Sequence, residues 1–268
     1  MRIPRPRLRR PRPSNGSAAN PIVENPAGAD DELHMSLLEH LDELRQRLTK
    51  AALGLAAGVV VGFPLASPML AYLKEPYGDR FQALDPTNPV ISYFRVALMI
   101  GAILSIPITT YQVMMFVLPG LTPKEKRILF RALPAITGLF IVGALFAWFI
   151  LIPPALDFLV GFQSDIFVAQ WTADGYLGFI TALIFWMGVA FETPLIFFVL
   201  ALMGLVQANT LVRNWRIAIV GSAVAAAFIT PTIDPVNMFL VMGPLLTLYL
   251  FSIFLVGIGN RINRVEPS

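Results

Sequence analysis

Six long apolar stretches, separated by polar loops rich in turn residues, set the pattern of this chain. They cover about residues 48–66, 90–118, 128–152, 176–206, 215–229 and 236–258. A helix needs roughly 20 apolar residues to cross a bilayer core of about 30 Å. Each stretch is read as a transmembrane helix. The connections SPMLAYLKEPYGDRFQALDPTNP, LPGLTPKEKR and ITPTIDP carry the Gly, Pro, Asn and Asp that end helices. The lengths are uneven. The fourth stretch would make roughly 46 Å of helix and must tilt, kink or project. Pro194 supplies a cause for a kink, because it has no N–H for the Ala190 carbonyl. The fifth would make only about 22 Å, so it requires local bilayer thinning or shelter among other helices.

Ahead of the first stretch the period changes. In MSLLEHLDELRQRL, residues 35–48, Ser36 and Glu39 form a capping box that predicts a helix start. Leu37, Leu41, Leu44 and Leu48 then fall on one stripe, while Glu39, Asp42, Glu43, Arg45 and Arg47 occupy the other faces. This is the pattern of an amphipathic helix lying on a membrane surface, with Glu43 and Arg47 spaced as an i,i+4 pair. Residues 1–34 hold six arginines interleaved with prolines and have no apolar face, which predicts a disordered basic tail near anionic lipid. Arg9 and Arg10 are not followed by the apolar region of a targeting signal. The expected organisation is this tail, a membrane domain over 35–262, and a short C-terminal tail over 263–268.

Composition hardens the membrane reading. Apolar residues make up 56% of the 268 and charged residues 14%, against about 25% charged in a soluble domain. The predicted class is all-α and polytopic. Cysteine is absent, which excludes disulfides and thiolate metal sites. No H-E-x-x-H, G-x-S-x-G or P-loop is present, and His34 and His40, the only histidines, precede the first stretch. Enzymatic chemistry, a bound cofactor and a nucleic-acid partner are therefore not expected. Charge sets the orientation. With the N-terminus inside, 17 Lys and Arg lie on the inner side and 3 on the outer, and residues 153–175 carry three aspartates and no cation. Both termini are expected in the cytoplasm.

Three acids stand out. Glu192 is the only ionisable residue between Tyr176 and Val206. A charge at mid-span costs roughly 3 kcal/mol by insertion scales, and such residues face protein or a water-lined cavity and mark function. Gly188, Phe185 and Thr181 continue its stripe with small and polar residues, as on a helix–helix face. Glu125 is the one acid in LPGLTPKEKR, where Thr122, Pro123 and Glu125 also suit N-cap, N1 and N3 of a helix. Asp234 sits between prolines ahead of the last stretch, where Asp is commonly an N-cap. A proton-coupled solute carrier would require a transport pathway beyond one acid, and no paired internal repeat is evident. An acid dyad for intramembrane hydrolysis is excluded by the depth separating Glu192 from Asp234.

Taken in order, four motifs resemble the TatC family, core membrane subunits of the twin-arginine protein translocase. They are His40-Leu41-Asp42-Glu43-Leu44-Arg45-Gln46-Arg47-Leu48; Tyr111, Gln112, Phe116, Pro119 and Leu121 followed by Lys124-Glu125-Lys126-Arg127; Phe191-Glu192-Thr193-Pro194; and Thr230-Pro231-Thr232-Ile233-Asp234-Pro235. The resemblance implies six helices in a concave, glove-like arrangement in a prokaryotic inner membrane. It implies recognition of folded cargo bearing twin-arginine signal peptides, with Glu43 and Glu125 holding the arginines and Arg45, Phe116, Gln112, Lys124 and Arg127 nearby. Glu192, Pro68 and Asp234 are implied as intramembrane or partner contacts. Implied partners are TatA- and TatB-type single-span subunits, with self-association, membrane lipid and transport driven by the proton-motive force.

Overall fold

The computed structural model describes residues 26–78, 81–117, 123–166, 170–232 and 234–264, with side chains from residue 41 onward except those of 117, 123–126, 128, 129, 132, 263 and 264. The helices are α1 (Pro26–Leu73), α2 (Asn88–Val117), α3 (Pro123–Phe146), α4 (Ile152–Gly161), α5 (Ala173–Leu202), α6 (Ala208–Arg213), α7 (Trp215–Ile229) and α8 (Pro235–Arg264). A 3₁₀ turn, Glu75–Tyr77, follows α1. Pairing of strand type among the described residues is confined to an isolated bridge between Gln82 and Thr172. Among the described residues, five spans are long and apolar enough to cross a membrane: Leu41–Tyr77, Asn88–Phe116, Leu133–Gly161, Ala173–Leu202 and Pro235–Ile262. The shorter apolar helix α7 is the sixth expected element, with the bounds its sequence pattern indicates.

Contacts divide the chain into Met1–Asp42 and Glu43–Ser268. In the first unit, two expectations need correction. α1 is already helical from Pro26, so Ser36 and Glu39 lie inside a helix rather than at its start. Residues 26–34, expected in the tail, are helical as well. Proline at the first helical position gives up no hydrogen bond, and the Ala, Glu and Leu that follow favour helix.

Within the second unit α5 is central, packing most extensively on α8 and α3 and also on α2. Leu177, Ile180, Leu183 and Met187 are fully buried along it. The Thr172 hydroxyl starts the helix by accepting the Gly175 N–H at 3.2 Å. Gly204 ends it with φ of +73°, which lets the Leu205 N–H reach the Leu200 carbonyl at 3.0 Å. A residue with a Cβ would be strained in that left-handed turn.

A π-helical stretch, Ala147–Leu151, joins α3 to α4. Pro153 and Pro154 have no N–H for the Phe149 and Ile150 carbonyls, and a widened turn at those residues is the local response. The expected third helix therefore runs on past its prolines to Gly161.

α1 meets α2 through glycine. A Cβ on Gly62 would collide with the Ala97 carbonyl oxygen, and one on Gly101 would lie 2.5 Å from the Val59 Cα. Close backbone approach supplies the van der Waals contact that holds helices together in lipid. Away from these contacts Val60, Phe149, Val224 and Phe228 are strongly exposed. Hydrocarbon tails cover such side chains without cost, whereas water would not.

Where the loops gather at the start of α5, packing is aromatic and polar. Tyr77, Phe81, Trp171 and Tyr176 lie ring against ring, with centroids 5.1–6.0 Å apart. The buried Tyr176 hydroxyl donates to the Leu73 carbonyl at 3.0 Å, satisfying an acceptor at the end of α1.

Candidate functional site

The residues singled out from sequence occupy separate places in the fold. On α1, the Arg47 guanidinium lies 3.3 Å from the Glu43 carboxylate, the expected i,i+4 pair. Both side chains remain partly exposed, at 22% and 32%, so the pair adds little to stability and stays open to exchange. Arg45 is exposed, and its carbonyl accepts the Thr49 hydroxyl at 2.8 Å. Leu44 and Leu48 are also exposed, on a stretch of α1 that continues without a break into the first membrane span. Farther along α1, Pro68 is exposed one turn before the helix ends.

The second place is the end of α2 and the start of α3. Gln112 and Phe116 are half-buried one turn apart. The Gln112 Oε1 is buried without a hydrogen-bond partner. Beside them Met114 packs with Leu133, Val199 and Met203, fastening α2, α3 and α5 at this end. α3 begins at Pro123, the position the sequence assigns to N1. Its first turns carry Lys124, Glu125, Lys126 and Arg127 on consecutive backbone positions, and Arg127 is exposed. The side chains of Lys124 and Glu125, the Thr122 cap, and the motif positions Pro119 and Leu121 lie outside the described residues.

Glu192 is the third place. It lies roughly 28 Å along α5 from Ala173. The expected helix–helix stripe is real. Gly188 is buried where a Cβ would lie 2.7 Å from the Phe140 ring, and Phe185 meets the same ring edge-on at 6.2 Å. Thr181, also buried, returns its hydroxyl to the Leu177 carbonyl. Phe191 packs on Phe146 at 5.4 Å. Glu192 itself is half-buried, and its Oε1 is enclosed without a hydrogen-bond partner. A buried carboxylate oxygen without a donor is an unmet demand of a few kcal/mol. On the flanking positions, Ala190 and Thr193 open onto a cavity of about 400 Å³, shared with Asn214, Ser222, Leu245 and Tyr249. The turn that holds the acid is thus level with the middle of the short α7.

Asp234 is the fourth. Its Oδ1 accepts the Asn237 N–H at 2.7 Å and its Oδ2 the Asn237 side-chain amide at 2.9 Å, closing the start of α8. Burial pushes this carboxyl up, but the hydrogen bonds it accepts, the Asn237 N–H first among them, together outweigh burial and leave it below its ordinary value of 3.8. The N-cap reading is observed, and both carboxylate oxygens are engaged by it.

Two features went unseen in the sequence. Gly54, Gly58 and Gly62 repeat at four-residue spacing, a signal readable in advance. The ion pair of Arg95 with Asp174, 2.8 Å apart across α2 and α5, has no sequence signature, because nothing local links residues so distant along the chain.

A family model described as TatC, Sec-independent protein translocase protein, matches residues 39–244. The Sec-independent protein translocase protein TatC of Synechocystis sp. is 37% identical over 220 residues, covering 82% of this chain and 87% of the relative. The chloroplastic TATC of Pisum sativum is 33% identical over 234 residues, covering 86% of this chain and 66% of the relative. A crystal structure described as Twin Arginine Translocase Receptor TatC superposes with a TM-score of 0.75 at 33% identity, covering 83% of this chain and all of the other.

Proposed function

This chain belongs to the TatC family of Sec-independent protein translocase subunits, a multi-pass membrane protein of protein transport, and from that premise we propose that it is the signal-peptide receptor of its translocase. In this reading Glu43 and Glu125 accept the two guanidiniums of a twin-arginine signal peptide at the cytoplasmic face of a prokaryotic inner membrane, with both termini on that side. Charge-assisted, bidentate bonds from arginine to carboxylate are the strong kind, and two of them give spacing as well as affinity. Arg45, Gln112, Phe116, Lys124 and Arg127 frame the site, and Arg47 is the internal guanidinium that a signal arginine displaces from Glu43.

The observation that carries the reading is the enclosed Glu192 oxygen without a donor. A membrane helix that keeps an acid unsatisfied beside a cavity is prepared for a polar group from another polypeptide. The occupants are single-span subunits of the TatA and TatB type, assembled with several copies of this chain and driven by the proton-motive force. Pro68 and Asp234 border the same assembly, and no chemical catalysis by this chain is involved.

The test is co-purification with partner subunits, followed by photo-crosslinking of a twin-arginine signal peptide to probes beside Glu43 and Glu125. Crosslinks lost on changing the paired arginines to lysine support the reading. A purified complex that ignores the arginines, or a knockout strain that still exports its folded cargo, overturns it.

A further inference from the structure

Arg95 lies in the second turn of a membrane span, roughly 10 Å along α2 from Asn88. At that depth headgroups give way to acyl chains. Its Nη1 donates to the Asp174 carbonyl at 2.6 Å and its Nη2 lies 2.8 Å from the Asp174 Oδ1. The guanidinium rests over Gly178, where a Cβ would lie 2.6 Å from Nη1, so the bare backbone there is what admits it. The two side chains remain 34% and 43% exposed. The result is a neutral but bipolar pair at the edge of the hydrocarbon.

Two cavities meet at Arg95. One, of about 360 Å³, is apolar and lined by Val90, Ile91, Phe94 and Leu98, which share one face of α2. The other, of about 630 Å³, is bordered by Gln170, Trp171, Asp174 and Thr232. An apolar groove leading past a cation to a chamber with an anion and a tryptophan is complementary to an amphiphile. Tryptophan at such a level is the usual companion of lipid headgroups.

We infer that this site binds a membrane phospholipid with a primary-amine zwitterionic headgroup, its acyl chain along Val90, Ile91, Phe94 and Leu98. The phosphate meets Arg95 and the ammonium meets Asp174. An anionic lipid would compete with Asp174 for the guanidinium while bringing no cation to the carboxylate. A choline headgroup carries charge but no N–H to donate, and the chamber presents acceptors. This inference rests only on the chain spanning a membrane. Signal-peptide recognition can fail while the lipid site stands, and the reverse holds too.

The experiment is native mass spectrometry of the full-length protein in detergent, offered equal amounts of palmitoyl-oleoyl phosphatidylethanolamine, phosphatidylglycerol and phosphatidylcholine. Phosphatidylethanolamine is expected to be retained about tenfold over either competitor, equivalent to about 1.4 kcal/mol. Asp174→Asn, which leaves the guanidinium uncompensated, is expected to invert the order in favour of phosphatidylglycerol. Leu98→Trp, which fills the groove, should lower all three alike. A wild-type protein with no headgroup preference, or with phosphatidylglycerol or phosphatidylcholine first, overturns the inference. So does a folded Asp174→Asn protein with an unchanged order. The wild-type ranking decides even if that variant does not fold.

Discussion

Gly58 of α1 lies against the Gly101 carbonyl of α2 with no space for a methyl group between them. The contact is backbone on backbone and recurs one turn later between Gly62 and Ala97. Gly58→Val should therefore cost about 1–3 kcal/mol, the usual range for overpacking. Thermal unfolding in detergent measures it. Val60→Ala, on the lipid-exposed side of the same helix, serves as the control and should shift the midpoint little.

Removing a single hydroxyl tests the junction of α1 with α5. Tyr176→Phe keeps the ring among Tyr77, Phe81 and Trp171 but leaves the Leu73 carbonyl unpaired. A loss of about 1–2 kcal/mol is expected. Protease nicking near Gly78 should rise with it, because that hydrogen bond anchors the end of α1. An unchanged midpoint and nicking rate would show that the ring stack alone holds the junction.

Asp234 makes stability depend on acid. Its carboxyl sits below the ordinary value of 3.8, so its contribution is fully present above that value and disappears as pH falls through the lower folded-state value. Asp234→Asn, which still caps a helix, should flatten the pH dependence below about pH 4 while sparing neutral stability. Asp234→Ala should lose about 1 kcal/mol at neutral pH. Melting curves at pH 7 and pH 3 separate the two.

Glu192 separates packing from docking. Its enclosed oxygen has no hydrogen bond to lose, so Glu192→Ala should leave the purified protein at least as stable as its parent. The same change should abolish export and recovery of single-span partners, while Glu192→Gln, which keeps an acceptor, retains part of both. A fall in thermal midpoint alongside a fall in export would instead mark the residue as structural.

For signal recognition the sign of two variants matters. Glu43→Gln should weaken binding of a twin-arginine peptide about tenfold, equivalent to about 1.4 kcal/mol, in a fluorescence anisotropy titration. Arg47→Ala should leave affinity equal or raise it, since Arg47 competes for the same carboxylate. Weaker binding by Arg47→Ala would place Arg47 on the side of the peptide's acceptor and not of its competitor.

Much of this molecule was decided by sequence alone. Segment hydropathy determines which stretches become membrane helices, because an unsatisfied backbone in lipid is so costly that a sufficiently long apolar run must be helical. The short α7, the Pro123 start of α3, the Asp234 cap, the Glu43–Arg47 pair and the protein-facing stripe beside Glu192 are local or periodic, and the chain states them within a few residues. The start of α1 departs from its local cap signal for the opposite reason. Ser36 is an adequate cap, but the helix-forming residues before it let the helix run through. Meetings between residues far apart in the chain come from the packed helices instead: Arg95 with Asp174, Tyr176 with the Leu73 carbonyl, Gly58 with Gly101. Those depend on which helix faces come together, and in lipid that choice rests on close packing and paired polar groups rather than on burial from water, so no single segment carries it.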